Sequence, residues 1–193
     1  ATGLAAEYSY SECPFEIRKR LVSDETDADG IRGSELVRYA MQNFIDISDG
    51  KAGLALFNKG LKEYETVDID GTVVTLTLLR AMTQTFPIHE DVFLTYEKEE
   101  SQCLGEHVFE YALYFHGGDY LAGDVIGQSR RYMMPLAATE FGKGQEGQLP
   151  LEMSFMKLDN PQIIVNGVKY AEDGGQLIVR LNNPPGKPIQ DTL

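Results

Sequence analysis

The chain has 193 residues, of which 42% are hydrophobic and 24% charged, the balance of a folded soluble protein rather than a disordered one. Thirty acidic residues against 17 basic ones leave a net charge of −13, a surface that repels a phosphate backbone and excludes nucleic acid as an expected partner. No apolar run approaches the roughly 20 residues that cross a bilayer, so no membrane association is expected. Neither does a basic and apolar leader open the sequence.

Ala1 in place of an initiator Met points to a processed or excised chain. The first distinctive stretch is the acidic segment Ser23 to Gly33, which carries little structural signal. Within it, Glu25-Thr26-Asp27-Ala28-Asp29-Gly30 resembles the first half of a calcium loop. Its twelfth position is Leu36, where a bidentate carboxylate is required, and Glu35 sits one place early. An acidic surface loop is therefore the expectation. The stretch Ser34 to Met41 is mildly helical.

Short strands follow. Gly53 to Phe57 is an apolar run closed by Asn58-Lys59-Gly60, and a second strand is placed around Tyr64. Asp70-Gly71 is a hairpin signal ahead of the β-branched run Val73 to Leu79. In Val108 to Phe115 the bulky Phe109, Tyr111, Leu113 and Phe115 alternate with a more mixed set. That period of two predicts a strand with one heavily buried face. Gly123 to Ser129 is again mildly helical. Thr139 to Pro150 reads as a flexible loop. Near the end, Gln162 to Val165 is predicted to turn at Asn166-Gly167, and Gln176 to Leu181 forms a strand stopped by Asn182-Asn183-Pro184-Pro185. Short strands at this spacing predict an all-β class, a β-sandwich of mainly antiparallel strands with little helix, as one region over residues 1–193.

Candidate chemistry is sparse. Gly142-Lys143-Gly144-Gln145-Glu146-Gly147 has the spacing of a phosphate-binding glycine loop, but no strand enters it and no helix leaves it. His89, His107 and His116 lack the i, i+4 spacing of a helical metal pair and read as surface or strand-end residues. Asp46 with Asp49, or Glu90 with Asp91, could supply the two carboxylates of glycoside hydrolysis, although nothing sets their separation. No serine-nucleophile elbow is present. Cys13 and Cys103 are too few for a disulfide framework and are expected as free thiols in a reducing cytoplasm. The lack of an Asn-x-Ser/Thr sequon points the same way, to an intracellular bacterial type. No catalytic centre is recognisable from the residues alone.

One further pattern runs through four blocks. Phe44-Ile45-Asp46-Ile47-Ser48-Asp49-Gly50-Lys51-Ala52-Gly53-Leu54-Ala55-Leu56, continued by Asn58, Gly60, Leu61 and Tyr64, resembles a motif of bacterial-type glycoside hydrolase family 38 α-mannosidases. Leu76-Thr77-Leu78-Leu79-Arg80, Gly105 to Tyr114, and the pair Val168 to Asp173 and Leu177 to Asn182 resemble later motifs of the same region, in order. The resemblance covers roughly Phe44 to Asn182 and implies the family's carboxy-terminal β region, a large supersandwich of galactose-mutarotase-like type. It implies further that the parent enzyme is a retaining α-mannosidase with zinc in an amino-terminal catalytic domain, whose histidine and aspartate metal motifs this sequence does not hold. No catalytic or metal-binding residue is therefore assigned here, no cofactor is expected in this chain, and by itself it is expected to be inactive.

By the same analogy, turns holding Asp49, Asn58 or Arg80 are the candidates for approaching the sugar site. Simpler roles are a turn-shaping Asp49 and an ion-paired Arg80. The implied partners are the enzyme's own catalytic domain and its α-mannoside substrate, and edges left uncovered would favour homo-oligomers. Two other function classes stay open. A carbohydrate-binding module needs exposed aromatic platforms, and this chain has no tryptophan. A free-standing hydrolase would depend on Asp49, Glu90 or Asp91.

Overall fold

The computed structural model describes residues 3–22, 38–68, 70–81, 99–140, 142, 147–184 and 188–191. Ten strands and one α-helix are present among them: β1 (Tyr8–Cys13), β2 (Glu16–Leu21), β3 (Tyr39–Ala40), β4 (Phe44–Ser48), β5 (Ala52–Asn58), β6 (Glu63–Asp68), β7 (Thr72–Leu76), β8 (Tyr111–Gly117), α1 (Val125–Met133), β9 (Ile164–Tyr170) and β10 (Leu177–Asn182). All the strand pairings are antiparallel. They build a five-stranded sheet ordered β2-β1-β4-β5-β8, a three-stranded sheet ordered β3-β6-β7, and the β9–β10 hairpin. The expected all-β class stands.

At its centre the five-stranded sheet is covered on both faces, which is why β4 reads as a buried run. On one face Phe44, Ala55 and Phe57 pack against Val125 and Ile126 of α1. On the other, Ile45 joins Met41, Leu61 and Tyr64, so that the three-stranded sheet closes over it. A polar network crosses this second interface. The Tyr64 hydroxyl donates to Ser11 Oγ at 3.2 Å and accepts from Arg20 Nη1 at 3.1 Å.

Asp70 and Gly71 both take positive φ, 53° and 103°, the left-handed pair that a tight β6–β7 turn requires. The helix expected around 123–129 is α1, and Asp124 is its N-cap residue. Other expectations change. The helical reading of Ser34 to Met41 gives way to strand at Tyr39–Ala40, which pairs with β6, while residues 34–37 lie outside the described residues.

Asn166-Gly167 does not turn. It lies inside β9, and the register against β10 jumps between Arg180 and Leu181, so that Asn166 is the extra residue of a bulge. Val168 to Tyr170 are good strand formers that find partners in Leu177 to Val179, and the reversal falls to the next glycine-rich stretch. There Ala171 N donates to Gln176 O at 2.8 Å, and Gly174 takes φ 79°.

The face of β8 also differs from expectation. Pairing with β5 sets Ala112 opposite Phe57 and Tyr114 opposite Ala55, which turns the mixed set toward α1. The bulky alternate set faces out: Tyr111 and Leu113 are each 55% exposed and Phe115 73%. Residues 23–33, 82–98 and 143–146, which include the calcium-like loop, His89, Glu90, Asp91 and most of the glycine loop, lie outside the described residues.

Candidate functional site

The three candidates for approaching a sugar do not converge. Asp49 sits in the β4–β5 turn, where its Oδ1 accepts from Lys51 N at 2.8 Å and Ala52 N at 2.9 Å. Those amides, Ala52 first, hold its carboxyl below the ordinary aspartate range. Asn58 closes the other end of β5, roughly 20 Å away at ~3.3 Å per residue. It is fully buried and donates through Nδ2 to Gln42 O at 3.2 Å. Arg80 is exposed, donates to Glu63 Oε2 at 3.3 Å, and lines an open groove of about 350 Å³ with Arg38, Lys62 and Thr77. Asn58 lies two residues before Gly60, at the edge of that groove. Asp49 does not share it.

The structure brings together a different pair. Asp46, on β4, and His116, at the end of β8, are 70 residues apart in sequence, yet His116 Nε2 lies 2.7 Å from Asp46 Oδ1. Their side chains are 0% and 1% exposed. His116 does lie at a strand end, as expected, but its side chain is buried rather than at the surface. The contact exists because His116 pairs across the sheet with Gly53, which has no side chain to stop the imidazole leaning over β5 to β4. A Cβ at Gly53 would come within 2.1 Å of the ring's Cε1, and one at Gly123 within 2.4 Å of its Nδ1.

Asp46 Oδ2 is buried without a hydrogen-bond partner. Burial pushes the Asp46 carboxyl from an ordinary 3.8 up to about 6, against the opposing pull of the hydrogen bond and charge of His116, with the Asp119 carboxylate adding to the rise. A carboxyl moved toward neutrality beside an imidazole is a pair able to hold and pass a proton. Motif spacing could not reveal it. Gly53 and His116 come opposite one another only through the β5–β8 pairing, which no local signal gives.

The second buried carboxylate, Glu12, is occupied as well. Arg130 of α1 donates to its Oε1, and Asn43 Nδ2 donates to Oε2 at 2.7 Å. His107 lies outside β8, with Nε2 2.6 Å from Cys103 O. Cys13 and Cys103 are both free thiols, Cys13 being buried. Among the described residues no group of three or more His, Cys, Asp and Glu side chains could hold a metal ion. Among them, too, no helix is long and apolar enough to cross a membrane.

Residues 1–90 match the family model described as the glycosyl hydrolases family 38 C-terminal domain. Two curated relatives extend the likeness. A putative mannosylglycerate hydrolase of Halalkalibacterium halodurans is 28% identical over 147 residues, which is 76% of this chain and 15% of the relative. Alpha-mannosidase G of Dictyostelium discoideum is 27% identical over 139 residues, 70% of this chain and 11% of the relative.

Among solved structures, an α-mannosidase from Enterococcus faecalis V583 superposes with a TM-score of 0.75 at 26% identity, over 95% of this chain and 19% of that one. A second Enterococcus faecalis protein, in glycosyl hydrolase family 38, gives 0.74 at 26% identity, over 98% and 20%. The chain therefore spans a fifth or less of each of these proteins. With the family model over its first 90 residues and the fold of both structures over nearly all of its length, this chain is similar to the carboxy-terminal domain of glycosyl hydrolases of family 38.

Proposed function

We propose that the chain is a non-catalytic β-sandwich region of a retaining, metal-dependent α-mannosidase, and that it supports a catalytic domain through its uncovered sheet face. The observation that carries this reading is the outward strip on β8, where Tyr111, Leu113 and Phe115 lie beside Leu54 and Leu56 of β5. Ile45 and Ile47 continue the same face under the three-stranded sheet, where they are buried. An apolar sheet face half covered and half bare fits a larger assembly better than a free-standing module. The share of each relative that the chain spans, 11–15%, supports the same reading.

In such an enzyme the two carboxylates of a retaining glycosidase and the metal would belong to the catalytic domain. Asp46 and Glu12 are engaged by His116 and Arg130 of this chain, which suits structural duty. Hydrolysis of an aryl α-mannoside by the purified 193-residue chain, with and without added zinc, tests the reading. Turnover no higher than in buffer is expected. Zinc-dependent turnover that survives stringent purification overturns it.

The β8 strip makes a second expectation. Exchanging Leu113 and Phe115 for Ser should change the unfolding free energy by no more than about 0.5 kcal/mol each, since both side chains are mostly exposed. The same exchange should lower the binding of a hydrophobic dye and reduce self-association in light scattering. A loss of several kcal/mol on urea unfolding would mean that the face is covered within the chain itself.

A further inference from the structure

We propose that the Asp46–His116 pair is a proton-operated latch that sets how firmly residues 118–133, the turn and helix α1, are held on the five-stranded sheet. The segment is a lid over one face of the core, and this pair sits at its hinge. His116 is the penultimate residue of β8, just before the turn, and its ring is flanked by Gly53 of β5 and Gly123 of the turn. Tyr114, two residues earlier on the same face, donates its hydroxyl to Gly123 O at 3.0 Å. Beyond the hinge, Val125 and Ile126 enter the core beside Phe57, and Arg130 pairs with Glu12 at the far end of the helix.

The groups facing Asp46 come from every element packed around it. From β1, Tyr10 is its register partner, and the Tyr10 ring lies 4.8 Å from that of Tyr120 in the turn. From β5 the facing residue is Ala55, which does not titrate. From β8 comes His116, and from the turn comes Asp119, whose charge acts on both Asp46 and Tyr120. Arg130 is already paired with Glu12, and among the described residues no guanidinium pairs with Asp46. Its Oδ2 has no partner inside the closed lid. Lifting the lid returns that oxygen to water.

The direction follows from linkage. In the closed state burial holds the Asp46 carboxyl at about 6; in the open, hydrated state, with His116 still beside it on the sheet, it falls to the ordinary 3.8 or below. Closing therefore takes up a proton between these values. The group's contribution to closure is complete below the open-state value and is lost as pH rises through about 6. One proton linked across that interval makes closure about tenfold more favourable at pH 5 than at pH 7.

Amide hydrogen exchange of Val125–Met133 in the full chain, corrected for intrinsic rates, reads this directly. The expected result is about tenfold greater protection at pH 5 than at pH 7, with no such step in Asp46→Asn. Asp119→Asn keeps its turn, because an asparagine side-chain oxygen can still accept from Leu121 N and Ala122 N. It is expected to keep the step but move it to lower pH, since a neighbouring negative charge is gone. Amides of β6 and β7 serve as the internal control for the pH response of the whole molecule. Equal protection of α1 at the two pH values, a step that persists in Asp46→Asn, or a midpoint unmoved in Asp119→Asn would each overturn the latch.

Discussion

Replacing Tyr64 with Ala is expected to lower the free energy of unfolding by about 3–5 kcal/mol, the cost of emptying a fully packed aromatic site. Tyr64 is fully buried and lies at the centre of the interface between the two sheets. Its ring packs in the cluster of Met41, Ile45 and Leu61 and tilts against Tyr39 at 5.8 Å. Its hydroxyl reaches β1, donating to Ser11 and accepting from Arg20. Alanine would open a cavity and also leave polar atoms of Ser11 and Arg20 in apolar surroundings.

Tyr64→Phe separates the two contributions. It keeps the ring and removes only the hydroxyl, so about 1–2 kcal/mol of loss is expected. Urea unfolding followed by circular dichroism, with m unchanged, checks both values. A Tyr64→Ala variant within 1 kcal/mol of the parent would show that the three-stranded sheet contributes little to holding the five-stranded one.

Sequence periodicity revealed the strands but not which side of each faces inward. The Asp70-Gly71 turn was readable because two adjacent positions demand positive φ, and that demand is local. Asn166-Gly167 carries the same signal and was overridden. A bulge in a hairpin can absorb the extra residue when flanking strand formers pair on both sides. On β8 the bulkier set looked like the core side. The sheet register placed the smaller Ala112 against Phe57 under α1 and left Phe115 bare.

A face meant for a neighbouring domain is as apolar as a core face, so a sequence cannot tell the two apart. The candidate sugar-proximal residues lie apart from one another for a related reason. Asp49 and Asn58 belong to one contiguous motif, and a motif that spans a whole strand necessarily places its ends far apart. Asp46 was visible as a carboxylate within that motif. Its partner was not, because joining β4 to β8 needs the pairing of both with β5.

Gly53 is the residue on which that joining depends, and the coupling can be measured. Gly53→Ala alone is expected to cost about 3–5 kcal/mol, because a Cβ 2.1 Å from the His116 ring must expel the imidazole and leave Asp46 buried without its partner. His116→Ala alone should cost a similar amount, by stranding the same carboxylate. The two losses share one cause and should not add. In the His116→Ala background the space above Gly53 is empty, and an alanine in a strand is favoured over glycine by roughly 0.5–1 kcal/mol. The second exchange should then be neutral or slightly stabilising, giving a coupling energy of about 3 kcal/mol or more from the double-mutant cycle. Additive losses in urea unfolding would mean that Gly53 serves the backbone alone. Full coupling would mean that this glycine is there so that a histidine can cross one strand to reach an aspartate on the next.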